Sequence, residues 1–183
     1  MTTDVKAESL NEARARLKAH FGDFQGENYR DGWADLWDKG DFLPWDKGFP
    51  NPALVDLLDQ GHSLIGTATV EEGGKQRRKK ALVPGCGRGY DVLLLASRGY
   101  DAYGLEYSAT AVEQCEQEAK EHVDKYPVKG PGLGNGNVQF VGGDFFKNDW
   151  LAKAGVEGKF DLIYDYTVIV TSFIFLFETP LSQ

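Results

Sequence analysis

A glycine-rich turn between an apolar segment and a helical segment carries the clearest chemical pattern in the sequence. Residues 80–84 (KALVP) are typical of a short buried strand, and residues 91–97 (DVLLLAS) of a helix. Between them lie Gly85, Gly87 and Gly89, which let a backbone turn sharply and approach a ligand closely. The first N–H groups of the following helix lack partners within it and face the same crevice. The segment is a candidate ligand-binding turn, with simple packing as the alternative.

Acidic and aromatic residues follow the later predicted strands. Glu106 ends the second strand, 21 residues after Gly85, where an acidic side chain meets the ribose hydroxyls of a bound nucleoside in this architecture. Asp144 follows the third strand, and Asp165 and Tyr166 follow the fourth. Any one of them alone is more often structural than functional. Together they mark the carboxyl edge of a parallel sheet, where such sheets bind ligands.

The glycine spacing separates the possible nucleotide classes. A dinucleotide site prefers G-x-G-x-x-G, whereas this turn reads G-x-G-x-G and is followed by Tyr90. A phosphate-binding P-loop requires G-x-x-x-x-G-K-[ST], which residues 73–76 do not supply. Apart from Arg88, no basic residue is placed to meet a pyrophosphate. The pattern therefore fits an adenosyl ligand without phosphates better.

Three tryptophans precede the turn. Trp33 and Trp37 are spaced i, i+4 and share one face of a helix, and Trp45 follows eight residues later. Aromatic residues at this spacing usually belong to a core. We interpret them instead as a lid, because indole faces attract a sulfonium cation by about 0.5–2 kcal/mol. A lid also excludes water from the reacting sulfur.

These motifs resemble those of the thiopurine S-methyltransferase superfamily, and most closely its thiol and halide methyltransferases of plants and fungi. The resemblance covers about residues 28–167, and VPGCGRGYD with the upstream tryptophans is its most specific part. The matching segments are residues 33–37, 44–48, 51–54, 82–91, 104–106, 143–146 and 160–167.

The resemblance implies an α/β, Rossmann-like class I methyltransferase fold and S-adenosyl-L-methionine as the cofactor. It implies a small-molecule acceptor, namely a thiol, hydrosulfide or halide. It also assigns roles by position: tryptophans line the site, glycines approach the methionine part, and the residues after the strands hold ribose, adenine and the region of the methyl group. The implied cofactor-binding residues are Trp33, Trp37, Trp45, Gly85, Gly87, Glu106, Asp144, Phe145 and Tyr166. No catalytic acid or base is assigned, because a thiol with a pKa near 8.5 is partly ionised at neutral pH.

Strands that alternate with helices predict a doubly wound, mostly parallel sheet. Residues 61–80 are polar, charged and glycine-containing, and they predict a loop of low order. Residues 130–137 are rich in glycine and predict a flexible loop. The predicted strands are 80–84, 102–106, 138–141 and 160–164. The predicted helices are 8–20 with a Ser9 cap, 52–60 with Pro52 first, 91–97, and 109–123 with a Ser108 cap. Residues 149–155 predict a short helix or a turn.

We expect three regions along the chain. Residues 1–27 form an N-terminal helical extension, residues 28–167 the cofactor-binding domain, and residues 168–183 an atypical apolar tail. The tail departs from the family, which continues with the remaining strands of a seven-stranded sheet, so we expect a C-terminally truncated form without those strands. We hypothesise that the exposed strand edge favours aggregation. Static light scattering tests this, and a monomer at high concentration would contradict it.

The composition favours a soluble, cytoplasmic, globular protein. The 183 residues include 28 acidic and 20 basic side chains, a net charge of −8, whereas nucleic-acid binding usually requires a basic face. The one basic run, residues 77–80, is interpreted as a solvated approach to the next strand, with a phosphate patch as the alternative. Cys86 and Cys115 are expected to be reduced thiols. We expect no metal site, no membrane or nucleic-acid partner, and a monomer if the chain folds.

Two other functions stay open from the sequence. A catalytically impaired cofactor-binding fragment, or pseudoenzyme, is the first, and turnover with a thiol acceptor separates it from an active enzyme. A nucleotide-dependent oxidoreductase domain is the second, although the glycine spacing and the tryptophans argue against it. A titration with NAD decides that alternative.

Overall fold

The computed structural model of the protein describes residues 10–60, 62–128 and 134–166. The expected Ser9 cap and the apolar tail at 168–183 lie outside these ranges. The described helices are α1 (Leu10–His20), α2 (Tyr29–Lys39), α3 (Pro52–Gln60), α4 (His62–Ile65), α5 (Tyr90–Ser97), α6 (Ala109–Glu121) and α7 (Asp149–Ala154). The described strands are β1 (Thr69–Glu72), β2 (Lys75–Arg78), β3 (Lys80–Pro84), β4 (Asp101–Glu106), β5 (Val138–Gly142) and β6 (Leu162–Ile163). Two short 3-10 helices cover Gly26–Asn28 and Val123–Lys125.

Four strands form a parallel sheet in the order β5-β4-β3-β6. Ala81 of β3 lies between Ala102 of β4 and Leu162 of β6. The chain builds the sheet in one direction from β3 to β5 and then returns to the other side of β3. The boundary between β3 and β6 is therefore the topological switch point, where sheets of this type open a ligand crevice at their carboxyl edge. The predicted Rossmann-like, doubly wound parallel sheet is confirmed.

Side chains of β3 alternate between the two faces of the sheet, and each face has its own core. Ala81 and Val83 face a cluster that includes residues of α3 and α5. Leu82 faces the opposite way, into a cluster with Trp150 and Ala154 of α7. Helices on both faces bury the sheet, which explains why β3 is almost continuously apolar.

The predicted caps agree with the structure where it describes them. The Ser108 hydroxyl accepts a hydrogen bond from the Ala111 N–H at 3.2 Å and begins α6. Pro52 is the first residue of α3, where its missing N–H costs nothing. The fourth strand is shorter than predicted: β6 spans two residues, not 160–164. At the start of the strand, the Asp161 carboxylate accepts hydrogen bonds from Arg77 and from the Lys80 N–H. Backbone bonds to β3 continue on either side of β6, from the Asp161 N–H to the Lys80 carbonyl and from the Tyr164 N–H to the Leu82 carbonyl.

The prediction of a low-order loop over residues 61–80 was wrong. The segment contains α4 and an antiparallel hairpin of β1 and β2, closed by Gly73 and Gly74. Both glycines have positive φ, at 59° and 75°, which suits a two-residue hairpin turn. The hairpin was missed because its strands are largely polar and show no clear apolar alternation. In the other predicted loop, residues 130–137, the described part is bonded to the domain, because the Gly136 N–H donates to the Ala96 carbonyl.

The basic run does not form an open phosphate patch. Each of its four side chains donates to a protein acceptor: Arg77 to Asp161, Arg78 to the Gly99 carbonyl, Lys79 to the Ile65 carbonyl and Lys80 to the Glu157 carbonyl. These bonds fasten β2 and the start of β3 to their neighbours.

A third hydrophobic cluster joins α1, α2 and the loop that follows α2. Its buried members are Ala13, Phe21, Leu36 and Phe42. Gly32 leaves room for Phe21, because a Cβ at that position would lie 2.7 Å from the Phe21 ring. The N-terminal helix therefore packs directly on α2. No helix in the described ranges is long and apolar enough to cross a membrane.

Candidate cofactor site

The glycine turn connects β3 to α5 at the switch point of the sheet. Gly85, Gly87 and Gly89 all have positive φ, at 58°, 55° and 79°, a conformation that side chains with a Cβ rarely adopt. A Cβ at Gly89 would lie 2.6 Å from the Phe140 ring, so this glycine serves packing against β5. A Cβ at Gly87 would lie 3.5 Å from the Trp37 ring. Gly87 is thus the point where the tryptophan segment meets the turn.

The carboxylate of Glu106 holds the backbone of this turn by hydrogen bonds. Its side chain is 7% exposed, and its carboxylate accepts N–H bonds from Gly87 at 3.0 Å, Tyr107 at 2.7 Å and Ser108 at 3.3 Å. Burial raises the pKa of Glu106, and the three backbone donors oppose that rise. The residue expected to meet a ribose therefore also organises the backbone around it. Each carboxylate oxygen has two lone pairs, and Oε2 uses one of them on Gly87.

The three tryptophans form one edge-to-face cluster beside the turn. The ring centroid of Trp45 lies 5.1 Å from that of Trp33 and 6.2 Å from that of Trp37. Trp37 is only 3% exposed and contacts Gly87. Trp33 also packs on Phe21, with ring centroids 4.7 Å apart. Trp33 is therefore part of the N-terminal core, whereas Trp37 reaches the turn.

Arg88 of the turn contacts the tryptophan segment through an ion pair with Asp46 and a cation–π contact with Trp37. Its guanidinium lies 5.9 Å from the centre of the Trp37 ring, and its Nε donates to the Asp46 carboxylate. Asp46 also accepts the Gly48 N–H at 3.1 Å, which closes the loop after Trp45. Arg88 is thus held by a carboxylate of this chain and does not stand free for a pyrophosphate.

Asp144 and Phe145 follow β5 at the same edge. The Gly143 N–H donates to the Glu106 carbonyl at 2.9 Å, so this loop lies next to Glu106. The Asp144 carboxylate accepts from the Phe146 N–H at 3.1 Å and from the Arg30 guanidinium. Phe145 packs against the second core cluster.

Tyr166 is less enclosed than the other expected site residues. It follows β6, the strand beside β3, but it is 67% exposed. The structure brings the glycines, Glu106, Asp144 and Trp37 to one edge of the sheet, and Tyr166 lies at the open side of that edge.

The sequence did not indicate the polar contacts that fasten α2 across the edge. Three of its side chains bind the segments after β4 and β5: Arg30 binds Asp144, Asp31 accepts from the Tyr107 hydroxyl at 2.7 Å, and Asp38 accepts from the Thr110 hydroxyl. We call these three contacts the α2 clasp. The partners lie 114, 76 and 72 residues apart in the sequence, so no local spacing could reveal them.

Comparison with known proteins places this arrangement in a family. The family model of thiopurine S-methyltransferase (TPMT) matches residues 28–172. The chain is 35% identical over 162 residues to the probable thiol methyltransferase 2 of Arabidopsis thaliana, covering 88% of this chain and 57% of that protein. It is 33% identical over 138 residues to thiocyanate methyltransferase 1 of Brassica oleracea, covering 75% and 47%. The chain thus spans about half the length of these curated relatives.

The chain is also similar in fold to a solved structure. The structure described as "Conversion of a Disulfide Bond into a Thioacetal Group during Echinomycin Biosynthesis" superposes with a TM-score of 0.54 at 26% identity. The match covers 78% of this chain and 48% of the other. Members of the family use S-adenosyl-L-methionine as methyl donor, as the sequence resemblance implied. On the extent of the family match, the chain belongs to the thiopurine S-methyltransferase family.

Proposed function

We propose that this chain binds S-adenosyl-L-methionine and transfers its methyl group to a small soft nucleophile. One observation carries the proposal: Glu106 holds the Gly87 N–H at the switch point, directly beside the buried Trp37 ring. A ligand in this crevice meets a carboxylate, a backbone without Cβ atoms and an indole. These are the groups suited to a ribose, a close-lying methionine part and a sulfonium, respectively.

The residues present fit the cofactor. Oε2 of Glu106 keeps a lone pair for a ribose hydroxyl, and Gly87 offers a surface that any larger residue would fill. Asp144 and Phe145 lie beside Glu106 through the bond between Gly143 and Glu106, where they are proposed to hold the adenine. Trp33, Trp45 and Gly85 complete the proposed set. Tyr166 is proposed to lie toward the acceptor.

The chain's own residues contribute alignment and exclusion of water. Once bound, the cofactor supplies a methyl group already activated by its sulfonium. Trp37 and the α2 clasp are proposed to close the crevice over the bound cofactor. Closure removes water from the reacting centre, and the attraction between the indole ring and the sulfonium cation becomes stronger as a result. Glu106 and the turn fix the donor, so that an acceptor meets the methyl carbon in line. No general base is needed for a thiol that is partly ionised at neutral pH.

The proposed acceptor is a thiol, hydrosulfide or halide, and the names of the relatives add thiocyanate to the same class of soft nucleophile. We further propose that the folded chain is a cytoplasmic monomer that acts on small molecules. The proposed domain is residues 28–167, with residues 1–27 as an extension and residues 168–183 as a tail.

The test is a methyl-transfer assay on the full chain with methyl-labelled cofactor. Hydrosulfide, a small aliphatic thiol, thiocyanate and iodide are offered in turn, and labelled methylated product is measured. We expect product with at least one acceptor and none with Glu106→Ala. Cofactor binding is measured in parallel by calorimetry. A chain that neither binds the cofactor nor forms product contradicts the proposal.

The exposure of Tyr166 favours a second candidate, a protein that binds the cofactor without catalysis. In that case the binding half of the site is built, but the region expected around the methyl group stays open to water. Calorimetric binding without product from any of the four acceptors would support this candidate. Product formation would exclude it.

A further inference from the structure

The two cysteines of the chain meet beneath the glycine turn. Cys86 lies in the turn and Cys115 on α6, yet their Sγ atoms are 3.8 Å apart, and both are free thiols. Gly104 leaves the room that the Cys86 sulfur occupies, and Gly89 lies within van der Waals distance of the Cys115 sulfur. A Cβ at Gly89 would lie 3.4 Å from the Cys115 sulfur, and one at Gly104 would lie 2.7 Å from the Cys86 sulfur. The fold therefore holds the two thiols side by side in a fitted space.

Cys115 also holds the backbone of the cofactor turn. Its thiol donates to the Gly87 carbonyl at 2.8 Å, while the Gly87 N–H donates to Glu106 at 3.0 Å. Because the one thiol proton of Cys115 points to this carbonyl, the Cys86 thiol is left to donate to the Cys115 sulfur. This donation and burial raise the pKa of Cys86, which keeps it a thiol at neutral pH. The N–H of Gly87 is therefore bonded to Glu106 and its carbonyl to Cys115.

We propose that Cys86 and Cys115 form a reversible disulfide that weakens cofactor binding at the glycine turn. The effect on the cofactor rests on the function proposed above, whereas the bond itself does not. The oxidant is a small-molecule disulfide, and Cys86 reacts first because Cys115 is fully buried.

The exchange proceeds in two balanced steps. The Cys86 thiol first gives its proton to water, and the thiolate sulfur bonds to one sulfur of the small disulfide. The other half leaves as a thiolate that takes up this proton. Because the pKa of Cys86 is raised, this step is faster at higher pH. The Cys115 sulfur then displaces the attached half, which leaves as a second thiol with the Cys115 proton. One disulfide bond breaks and one forms, so the protein loses two electrons and the small disulfide gains them.

Formation of this bond changes the turn in two ways. The Gly87 carbonyl loses its thiol donor, and the sulfurs close from 3.8 Å to about 2.05 Å, which draws the turn toward α6. The Gly87 N–H shifts against Glu106 as a result. We expect the Kd for S-adenosylhomocysteine to rise about tenfold, the effect of losing one buried hydrogen bond.

The test compares the full chain in oxidised glutathione and in dithiothreitol. Intact-mass spectrometry should show a monomer about 2 Da lighter after oxidation, with the Cys86 and Cys115 peptides joined, and dithiothreitol should reverse it. Calorimetry then gives the ratio of the oxidised to the reduced Kd for S-adenosylhomocysteine. Cys115→Ser keeps a donor for the Gly87 carbonyl but cannot form the bond, and Cys86→Ser is the second control. In both variants this ratio should stay near one.

Three results would overturn the proposal. They are glutathione adducts without an internal bond, a bond between two chains, or an internal bond that leaves the Kd ratio at one. If the reduced chain fails to bind S-adenosylhomocysteine, the proposed function fails separately. The mass measurement still decides whether the bond forms, and hydrogen exchange at residues 85–89 decides whether it alters the turn.

Discussion

Glu106 has two tasks at the residue scale, because the same carboxylate holds the turn and is proposed to hold the ribose. Burial raises its pKa, so it takes up a proton at a higher pH than an ordinary glutamate. The ionised form is proposed to accept the ribose hydroxyls, and it is lost as the pH falls through the raised pKa. Affinity for S-adenosylhomocysteine should therefore decline on acidification while exposed glutamates are still ionised.

Calorimetry between pH 7.5 and pH 5 on the wild type and on Glu106→Gln measures this. The variant should bind about 10- to 100-fold more weakly at pH 7.5, because hydrogen bonds to a charged group are lost. Its affinity should also lose the dependence on pH. Glu116→Gln, an exposed change on α6, is the matched control. Equal pH profiles for wild type and Glu106→Gln would contradict the role of this carboxylate.

Gly87 is the second residue with a definite expectation. Alanine there is strained by the φ of 55° and adds a Cβ 3.5 Å from Trp37, on the surface proposed for the cofactor. Strain of about 1–2 kcal/mol corresponds to a fall in Tm of roughly 2–8 °C in a chain of this size. Binding of S-adenosylhomocysteine should weaken as well.

The control for this change is Gly142→Ala, at the end of β5, where a Cβ meets nothing within 4 Å. Differential scanning calorimetry and a binding titration compare the two variants. If Gly142→Ala lowers both stability and affinity as much as Gly87→Ala does, the site is not at Gly87.

At the scale of elements, α2 is proposed to cover the crevice. The α2 clasp binds it to the segments after β4 and β5 through partly exposed side chains. Such contacts contribute little to global stability. Their expected effect lies in how long a ligand stays bound, because a cover that opens more often releases its ligand sooner.

The double variant Arg30→Gln with Tyr107→Phe removes two contacts of the clasp. Stopped-flow tryptophan fluorescence should show faster dissociation of S-adenosylhomocysteine with a small change in Tm. Lys39→Gln removes an exposed ion pair within the same helix and should leave the rate unchanged. An unaltered dissociation rate in the double variant would mean that α2 does not gate the crevice.

The hairpin of β1 and β2 is fastened to the sheet through Arg77 and Asp161. The hydrogen bond from Arg77 holds the pKa of Asp161 below its usual range. A depressed carboxyl pKa means that this stabilisation is present above the usual aspartate pKa of about 3.9 and is lost as the pH falls through and below it. Urea unfolding should show the wild type more stable than Asp161→Asn at pH 7, with the difference shrinking toward pH 3. A difference that does not depend on pH would contradict the ion pair.

Sequence reasoning reached the elements with strong apolar patterns and the residues at their ends. The buried strand β3 and the Ser108 cap followed from local patterns, whereas the placement of Trp37 beside the glycine turn followed from the family resemblance. The hairpin did not, because a polar ribbon closed by Gly73 and Gly74 shows no apolar alternation. The bond between Arg30 and Asp144 was also out of reach, since tertiary packing alone brings together residues 114 positions apart.

At the scale of the whole molecule, the described parallel sheet has four strands, and the residues of the candidate site lie at its switch point. Glycine turn, acidic strand end and tryptophan cover come from three distant parts of the chain. Only a chain with this sheet folded can assemble them, so ligand binding and folding must be linked. A ligand of the site should therefore stabilise the whole domain.

A thermal-shift titration of the full chain with S-adenosylhomocysteine, run beside NAD, tests the central claim most directly. At 100 times its Kd a ligand stabilises the folded state by roughly 2.7 kcal/mol, which is readily measured. The proposed site predicts one cooperative transition that rises with S-adenosylhomocysteine and not with NAD. A Tm that does not change with S-adenosylhomocysteine, or that rises with NAD instead, would contradict it.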